Sequence, residues 1–170
     1  IDIMENIEIL DMCTGSGCVG ISLAKNIKNT KVTLVDISKE AIEIAKKNAI
    51  QNEVENKITF IQSDMFENVK GKFDIIVSNP PYIKTNIIQT LDKQVQNEPH
   101  IALDGGEDGL DFYKILINEA HKYLKKDGKI FLEIGYDQKQ EVESLAKQSK
   151  HYKKIETIKD LSQNDRVIIL

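Results

Sequence analysis

Short apolar runs alternate with longer amphipathic segments along the chain. The apolar runs predict strands over residues 7–11, 31–36, 57–62, 73–78 and 129–134. Three of them, around positions 32–35, 75–77 and 130–132, are nearly continuous in apolar residues and do not alternate with polar ones. Strands that are buried on both faces have this composition. The pattern therefore predicts an α/β fold in which helices cover a mostly parallel sheet.

Two amphipathic segments between these strands predict helices over residues 39–51 and 109–126. Ser38 precedes the first segment as an N-cap, and Gly128 follows the second, where a helix should end. Both segments carry apolar residues at helical spacing, namely Ala41, Ile42, Ala45 and Ala49 in the first, and Leu110, Tyr113, Ile117, Ala120 and Leu124 in the second.

The C-terminal part of the chain departs from this alternation. Residues 152–159 and 166–170 predict two strands without a helix between them, so they should form an antiparallel hairpin. Residues 83–108 form a long segment with little periodicity, and a loop of that length inside a compact domain is usually functional. The length of 170 residues suits a single domain over 1–170.

A glycine-rich loop follows the first predicted strand and enters a helix. Gly15, Gly17 and Gly20 allow a tight turn and a close approach to a ligand, and the helix N-terminus offers free N–H groups. Asp36 ends the second strand, where a carboxylate can accept both ribose hydroxyls of a nucleoside. The spacing also matches the dinucleotide fingerprint, so an NAD-dependent oxidoreductase remains an alternative.

Asp11 favours a different ligand, S-adenosylmethionine. A carboxylate placed before the loop can face the cationic amino acid end and sulfonium of that cofactor, whereas it would repel a pyrophosphate. Ser63 and Asp64 end the third strand, either to bind an adenine amino group or simply as polar residues at a strand end. The predicted cofactor-binding residues are Asp11, Cys13, Thr14, Gly15, Gly17, Asp36, Ser63, Asp64 and Asn79.

The most specific passage is Asn79-Pro80-Pro81-Tyr82, which follows the predicted strand 73–78 directly. The two prolines keep the chain extended and rigid where it leaves the sheet. An amide or aromatic amine nitrogen is a poor nucleophile that needs orientation more than a strong base. The Asn79 side-chain oxygen and the Pro80 carbonyl can each accept one of its N–H groups, and Tyr82 offers a flat face. We predict that Asn79, Pro80 and Tyr82 are catalytic and that Pro81 also contributes to substrate binding.

Composition restricts the possible partners. The net charge is −4 and Arg166 is the only arginine, which disfavours a protein that mainly binds nucleic acid. Cys13 and Cys18 do not form a disulfide framework, and no His/Cys set has zinc spacing, so we expect no metal and a reducing, cytoplasmic location. No apolar run reaches the roughly 20 residues of a membrane span. We also expect a monomer, with no membrane partner.

With these motifs in place, the sequence resembles the class I methyltransferases, which have a doubly wound, Rossmann-like sheet. Within them it is similar to the HemK family of release factor glutamine methyltransferases. Residues 79–82 indicate nitrogen methylation, although enzymes that act on DNA adenine or ribosomal guanine are similar there. The sharper match is Glu98-Pro99-His100-Ile101-Ala102-Leu103-Asp104-Gly105-Gly106-Glu107-Asp108-Gly109-Leu110-Asp111-Phe112-Tyr113, and residues 160–166 resemble the closing hairpin of the family.

The resemblance implies S-adenosylmethionine as cofactor and the glutamine of the Gly-Gly-Gln motif in peptide chain release factors as substrate. Asn79 and Pro80 would hold its side-chain amide, and Tyr82 would line the pocket. Cys13 stands where the superfamily usually has glycine. The 170 residues do not include the N-terminal helical domain of the family, so we expect them to be a piece of a longer protein. The alternatives are a nucleic-acid base methyltransferase and a non-catalytic binding module.

Overall fold

Four parallel strands form the sheet of the first of two structural units. The computed structural model describes residues 6–170, and this first unit comprises the residues through Ser78 together with Lys122–Lys129. Its strands are β1 (Ile7–Met12), β2 (Thr30–Asp36), β3 (Ile58–Gln62) and β4 (Phe73–Ser78). Ile9 of β1 is in register with Val32 of β2 and with Ile75 of β4. The predicted strands 7–11, 31–36, 57–62 and 73–78 are thus confirmed to within one residue at each end.

Two helices pack on this part of the sheet, α1 (Cys18–Asn26) and α2 (Lys39–Gln51). The bounds of α2 match the predicted helix over 39–51. The Ser38 hydroxyl accepts a hydrogen bond from the Ala41 N–H at 3.1 Å, which confirms Ser38 as the N-cap. Ile42 and Ala45 are buried, as the helical spacing of the apolar residues predicts.

The second unit comprises Asn79–His121 and Ile130–Leu170. Its helices are α3 (Lys93–Gln96), α4 (His100–Leu103), α5 (Asp111–Glu119) and α6 (Lys139–Ser149). Strand β5 (Leu124–Glu133) begins in the first unit and continues into the second, where it pairs antiparallel with β7 (Asp165–Ile169), and β7 pairs antiparallel with β6 (Glu156–Lys159). The seven strands follow the order β3-β2-β1-β4-β5-β7-β6. A mostly parallel sheet with a C-terminal antiparallel hairpin is therefore confirmed.

The predicted helix over 109–126 is wrong in its second half. Helix α5 ends at Glu119, a 3₁₀ turn follows over Ala120–Tyr123, and β5 begins at Leu124, so the predicted strand 129–134 starts too late. The Tyr123 ring stacks on Phe66 at a centroid distance of 4.7 Å, and Lys125 pairs with Asp74 at 2.8 Å. Both contacts lie within the first unit and join residues that are far apart in the sequence, so the helical periodicity of residues 109–126 could not indicate them.

Two other expectations change in detail. The long segment 83–108 carries a 3₁₀ turn over Ile88–Thr90 and the short helices α3 and α4, so it is an ordered segment and not a simple loop. The first strand of the hairpin is shorter than predicted and begins at Glu156 instead of residue 152. Among residues 6–170, no helix is long and apolar enough to cross a membrane.

Candidate functional site

The backbone of the glycine loop after β1 is held by hydrogen bonds within the first unit. The Thr14 N–H donates to the Val35 carbonyl at 2.9 Å, and the Asn48 side chain donates to the Ser16 carbonyl at 2.8 Å. Gly15 has φ +56°, and a Cβ placed there would meet no atom within 4 Å. Gly17 has φ +84°, and a Cβ there would lie 2.7 Å from the Ile21 side chain. Gly15 therefore leaves open space for a ligand, whereas Gly17 permits close packing.

Asp11 is buried beneath this loop, with only 2% of its surface exposed. Its Oδ2 accepts hydrogen bonds from the Thr14 hydroxyl at 2.6 Å and from the Gly20 N–H at 2.8 Å. Burial raises the pKa of the Asp11 carboxyl to about 6, although these two hydrogen bonds oppose the rise. The ionised carboxylate is thus poorly solvated, and a cationic ligand near it would stabilise the charge.

The Asp36 carboxylate joins the end of β2 to the glycine loop. Its Oδ2 accepts from the Gly15 N–H at 2.8 Å, and its Oδ1 accepts from the Ser38 N–H at 2.9 Å. A carboxylate has about four acceptor positions, so each oxygen can still accept a hydroxyl. The predicted role of Asp36 toward a ribose is therefore compatible with its geometry.

Ser63 and Asp64 differ in their surroundings. Ser63 is buried, and its hydroxyl accepts from the Asn68 N–H at 2.9 Å and donates to the Asp64 carbonyl at 3.4 Å. Ser63 therefore shapes the turn after β3. Asp64 is exposed, and its charge acts on the Cys13 thiol. These hydrogen bonds support the interpretation of Ser63 as a polar residue that ends a strand. Its contact with an adenine amino group stays a prediction.

Cys13 marks the point where three carboxylates converge. Burial, and then the charges of Asp36, Asp11 and Asp64, together raise the pKa of its thiol to about 12. The thiol is therefore protonated at neutral pH and is not an activated nucleophile. The backbone at Cys13 has φ +59°, the left-handed region that favours glycine. The structure brings these predicted residues together at the carboxyl ends of β1, β2 and β3.

The second unit contains a cavity of about 220 Å³ beside the Asn-Pro-Pro-Tyr motif, which we call the Asn79 cavity. It combines polar groups with an apolar wall. Its lining residues are Asn79, Pro80, Tyr82, Ile83, Val95, Glu98, Ala102 and Leu103. Pro81 is buried and is not among them, so it contributes to the cavity only through the shape of the backbone.

Charged residues of the second unit surround the Tyr82 hydroxyl. Burial, and then the charge of Glu133, raise its pKa above the ordinary value, and the charge of Glu98 adds to this. The Arg166 guanidinium opposes the rise through its charge and a hydrogen bond. Arg166 is itself held by the Asp160 carboxylate at 3.3 Å and by the Ile134 carbonyl at 3.0 Å. Tyr82 is therefore a neutral phenol with a fixed hydrogen-bond partner.

The sequence interpretation assigned no role to four residues that the structure places at these sites. Glu98 lies within the 98–113 segment and Arg166 ends the 160–166 segment, so their motifs carried a usable signal. Ile37 follows Asp36 and is 45% exposed, which is unusual for a large apolar side chain beside a strand. Gln138 contacts the Tyr82 backbone from 56 positions away, and no local pattern indicates it.

Comparison with known proteins now supplies the family. The model of the methyltransferase small domain family matches residues 2–107. The chain belongs to this family. A methyltransferase from Pyrococcus furiosus shares the fold, with a TM-score of 0.70 at 21% identity over 97% of this chain and 74% of that one. The predicted class I methyltransferase fold is thereby confirmed.

Two other relatives are more similar to this chain in sequence than the Pyrococcus furiosus protein is. A release factor glutamine methyltransferase of Thermodesulfovibrio yellowstonii is 44% identical over 95% of this chain and 58% of its own length. A ribosomal protein uL3 glutamine methyltransferase of Francisella tularensis is 41% identical over 81% of this chain and 44% of its own length. The predicted resemblance to release factor glutamine methyltransferases is confirmed, and the chain spans 55–59% of the length of those it matches.

Proposed function

We propose that this chain is the catalytic part of an S-adenosylmethionine-dependent methyltransferase. Its substrate is the side-chain amide nitrogen of the glutamine in the Gly-Gly-Gln motif of peptide chain release factors. The observation that carries the proposal is the Asn79 cavity, which is lined by Asn79, Pro80 and Glu98 together with the apolar side chains of Ile83, Val95, Ala102 and Leu103. A cytoplasmic location is part of the proposal, because release factors work at the ribosome in translation termination.

The residues around the glycine loop fit the cofactor. Asp36 would bind the ribose hydroxyls, and the apolar Ile37 beside it would pack on the adenine ring. Asp11 and Asp64 add negative charge on the side of Cys13. Three carboxylates suit a ligand with a sulfonium and an ammonium group and would repel the pyrophosphate of NAD. This charge pattern supports S-adenosylmethionine over the oxidoreductase alternative.

In the Asn79 cavity, the target amide would donate its two N–H groups to the Asn79 side-chain oxygen and the Pro80 carbonyl. These acceptors orient the nitrogen and stabilise positive charge that develops on it during attack. When bound, S-adenosylmethionine supplies the methyl group, whose bond to sulfur breaks as the bond to nitrogen forms, and the nitrogen then loses one proton to water. Ile83 and Leu103 would contact the aliphatic part of the glutamine side chain.

The cavity also explains why a primary amide is preferred to a carboxylate. Among its lining residues, Pro80 has a carbonyl acceptor and no N–H, and Glu98 carries a carboxylate. A glutamate side chain would bring a second negative charge and no donor to these groups, which is costly in a partly desolvated site.

A second candidate is methylation of a glutamine in ribosomal protein uL3, favoured by the relative in Francisella tularensis. Both candidates place the same chemical group in the cavity and differ in the protein that presents it. Methylation of a nucleic-acid base fits residues 79–82, but a net charge of −4 and a single arginine disfavour it.

The test is a methyl-transfer assay with labelled S-adenosylmethionine and the natural full-length protein. Unmodified release factor, ribosomal protein uL3, DNA and ribosomal RNA are offered in parallel, and peptide mass spectrometry locates the methyl group. We expect label on the Gly-Gly-Gln glutamine. Label on uL3 alone would replace the substrate and keep the chemistry, whereas label on nucleic acid alone would overturn glutamine methylation.

A further inference from the structure

Gln138 is a buried amide whose oxygen and nitrogen are both hydrogen-bonded within the second unit. Only 6% of its surface is exposed. Its Nε2 donates to the Tyr82 carbonyl at 2.9 Å and to the Gly109 carbonyl at 3.2 Å, and its Oε1 accepts from the Gly135 N–H at 2.9 Å. Gln138 occupies the N-cap position of α6, yet its side chain caps no N–H of that helix. The amide is therefore directed at the end of the Asn-Pro-Pro-Tyr motif.

Two glycines pack against the same piece of backbone. A Cβ at Gly105 would lie 2.7 Å from the Tyr82 Cα, and a Cβ at Gly109, which has φ +74°, would lie 2.6 Å from the Tyr82 carbonyl oxygen. Only glycine, which has no Cβ, allows the chain to approach the Tyr82 backbone this closely. The next residue, Ile83, is also fixed, because its N–H donates a hydrogen bond to the Leu103 carbonyl at 3.0 Å.

We propose that Gln138 is a positioning residue for glutamine methylation, which holds the Tyr82 backbone and thereby sets the Asn79 and Pro80 acceptors. This inference rests on the proposed function. Pro80 and Pro81 have fixed φ angles, so a shift of the Tyr82 carbonyl is passed along the motif instead of being absorbed by backbone rotation. Gln138 itself does not contact the substrate; it acts through Tyr82.

The effect of losing this contact should fall on turnover. Displacement of a reacting group by about 1 Å can lower a rate by about 100-fold. We expect Gln138→Met to lower kcat by about 10- to 100-fold and to change KM for a Gly-Gly-Gln substrate by less than about threefold. Cofactor affinity should change much less than kcat, because all the predicted cofactor-binding residues except Asn79 lie in the first unit.

The matched control is Gln148→Met on the same helix. Gln148 is exposed, and within residues 6–170 its amide bonds only to the Ser144 hydroxyl, at 2.9 Å. The control removes a side-chain amide from α6 but leaves Tyr82 untouched, so its kcat should equal that of wild type. Both variants are assayed at a temperature where circular dichroism shows them fully folded.

Gln138→Glu provides a second variant with a distinct signature. At high pH its carboxylate faces the Tyr82 and Gly109 carbonyls without a donor, whereas the protonated acid can donate one O–H to Tyr82. Burial favours the protonated form. The kcat of Gln138→Glu relative to wild type, at saturating cofactor, should therefore rise as pH falls from 8 to 6. A residue with a merely structural role would show no such recovery.

The outcomes separate the two proposals. A Gln138→Met kcat within twofold of wild type, or a loss that only follows a fall in folded fraction or cofactor affinity, overturns the positioning role. If wild type methylates no glutamine at all, the proposed function has failed. In that case hydrogen exchange of residues 79–86 still reports on the contact: faster exchange in Gln138→Met than in Gln148→Met supports it, and equal exchange refutes it.

Discussion

The glycine loop and the Asn79 cavity reach their geometry in different ways. Asp11 bonds to Thr14 and Gly20, three and nine positions away, and Asp36 bonds to Gly15 across 21 positions. The Tyr82 carbonyl is bound by Gln138 across 56 positions. Contacts near in sequence stabilise the loop, whereas contacts distant in sequence stabilise the cavity.

This difference has a functional consequence. A loop organised by its own strand ends can bind a common cofactor in many proteins with little dependence on the rest of the chain. A cavity organised by distant segments can change its substrate when those segments change. Two of the relatives carry names with the same reaction and different protein substrates. Mutations in the two regions should therefore separate cofactor binding from turnover.

The largest effect is expected in the cavity. Asn79→Ala removes one preorganised acceptor of the target amide and should lower turnover by about 10²- to 10³-fold. Asn86→Ala is the matched control, because Asn86 is exposed in the same segment. Methyl transfer to release factor is the measurement. Equal turnover of the two variants would contradict the role of Asn79.

The next effect concerns stability in the loop. Burial raises the folded-state pKa of Asp11 to about 6, above its unfolded value of 3.8, so this carboxyl supports the folded state below about pH 4 and that support is lost as pH rises through 6. At 1.36 kcal/mol per pKa unit, the loss is about 3 kcal/mol at pH 7.5. Asn at this position does not ionise.

The measurement is urea unfolding of wild type and Asp11→Asn without cofactor, at pH 4.5 and pH 7.5. The free energy of unfolding of the variant, relative to wild type, should increase by about 2 kcal/mol between the two pH values, because about 1 kcal/mol of the loss has already occurred at pH 4.5. A difference that does not depend on pH would show that Asp11 is not poorly solvated in the folded protein. Cofactor affinity of wild type should fall as pH drops below 6.

Asp36→Ala should weaken binding of S-adenosylmethionine by about 1.5–3 kcal/mol, the range for a hydrogen bond to a charged group. Asp64→Ala should weaken it less, because Asp64 is exposed and solvent screens its charge. Isothermal titration calorimetry compares the two. If cofactor affinity is unchanged in Asp36→Ala, then Asp36 does not belong to the cofactor site.

The smallest effect is expected at Cys13. Its left-handed backbone costs about 1–2 kcal/mol for a residue other than glycine. Gly relieves this cost and Ala does not, so Cys13→Gly should be more stable than Cys13→Ala by about 1 kcal/mol. Thermal unfolding of both variants measures the difference, and the reverse order would refute the backbone strain.

Much of the first unit could be predicted, because its information is local. Continuous apolar runs indicated β1 to β4, Ser38 indicated the start of α2, and glycine spacing indicated the loop. The predictions failed where distant residues decide the local conformation. Apolar spacing continued the helix to residue 126, but the stacking of Tyr123 on Phe66 belongs to a strand and turn arrangement that no helical pattern encodes.

The sequence by itself determined the fold class, the family and the candidate residues from Asp11 to Tyr82, because strand burial, turn chemistry and the motif are written in neighbouring positions. Only the tertiary structure decided which groups surround Tyr82. Gln138, Glu133 and Arg166 approach it from the region of β5, α6 and β7, and their positions depend on how strands pair and how α6 packs. Such pairings join residues far apart in the chain, so no short window of sequence contains them.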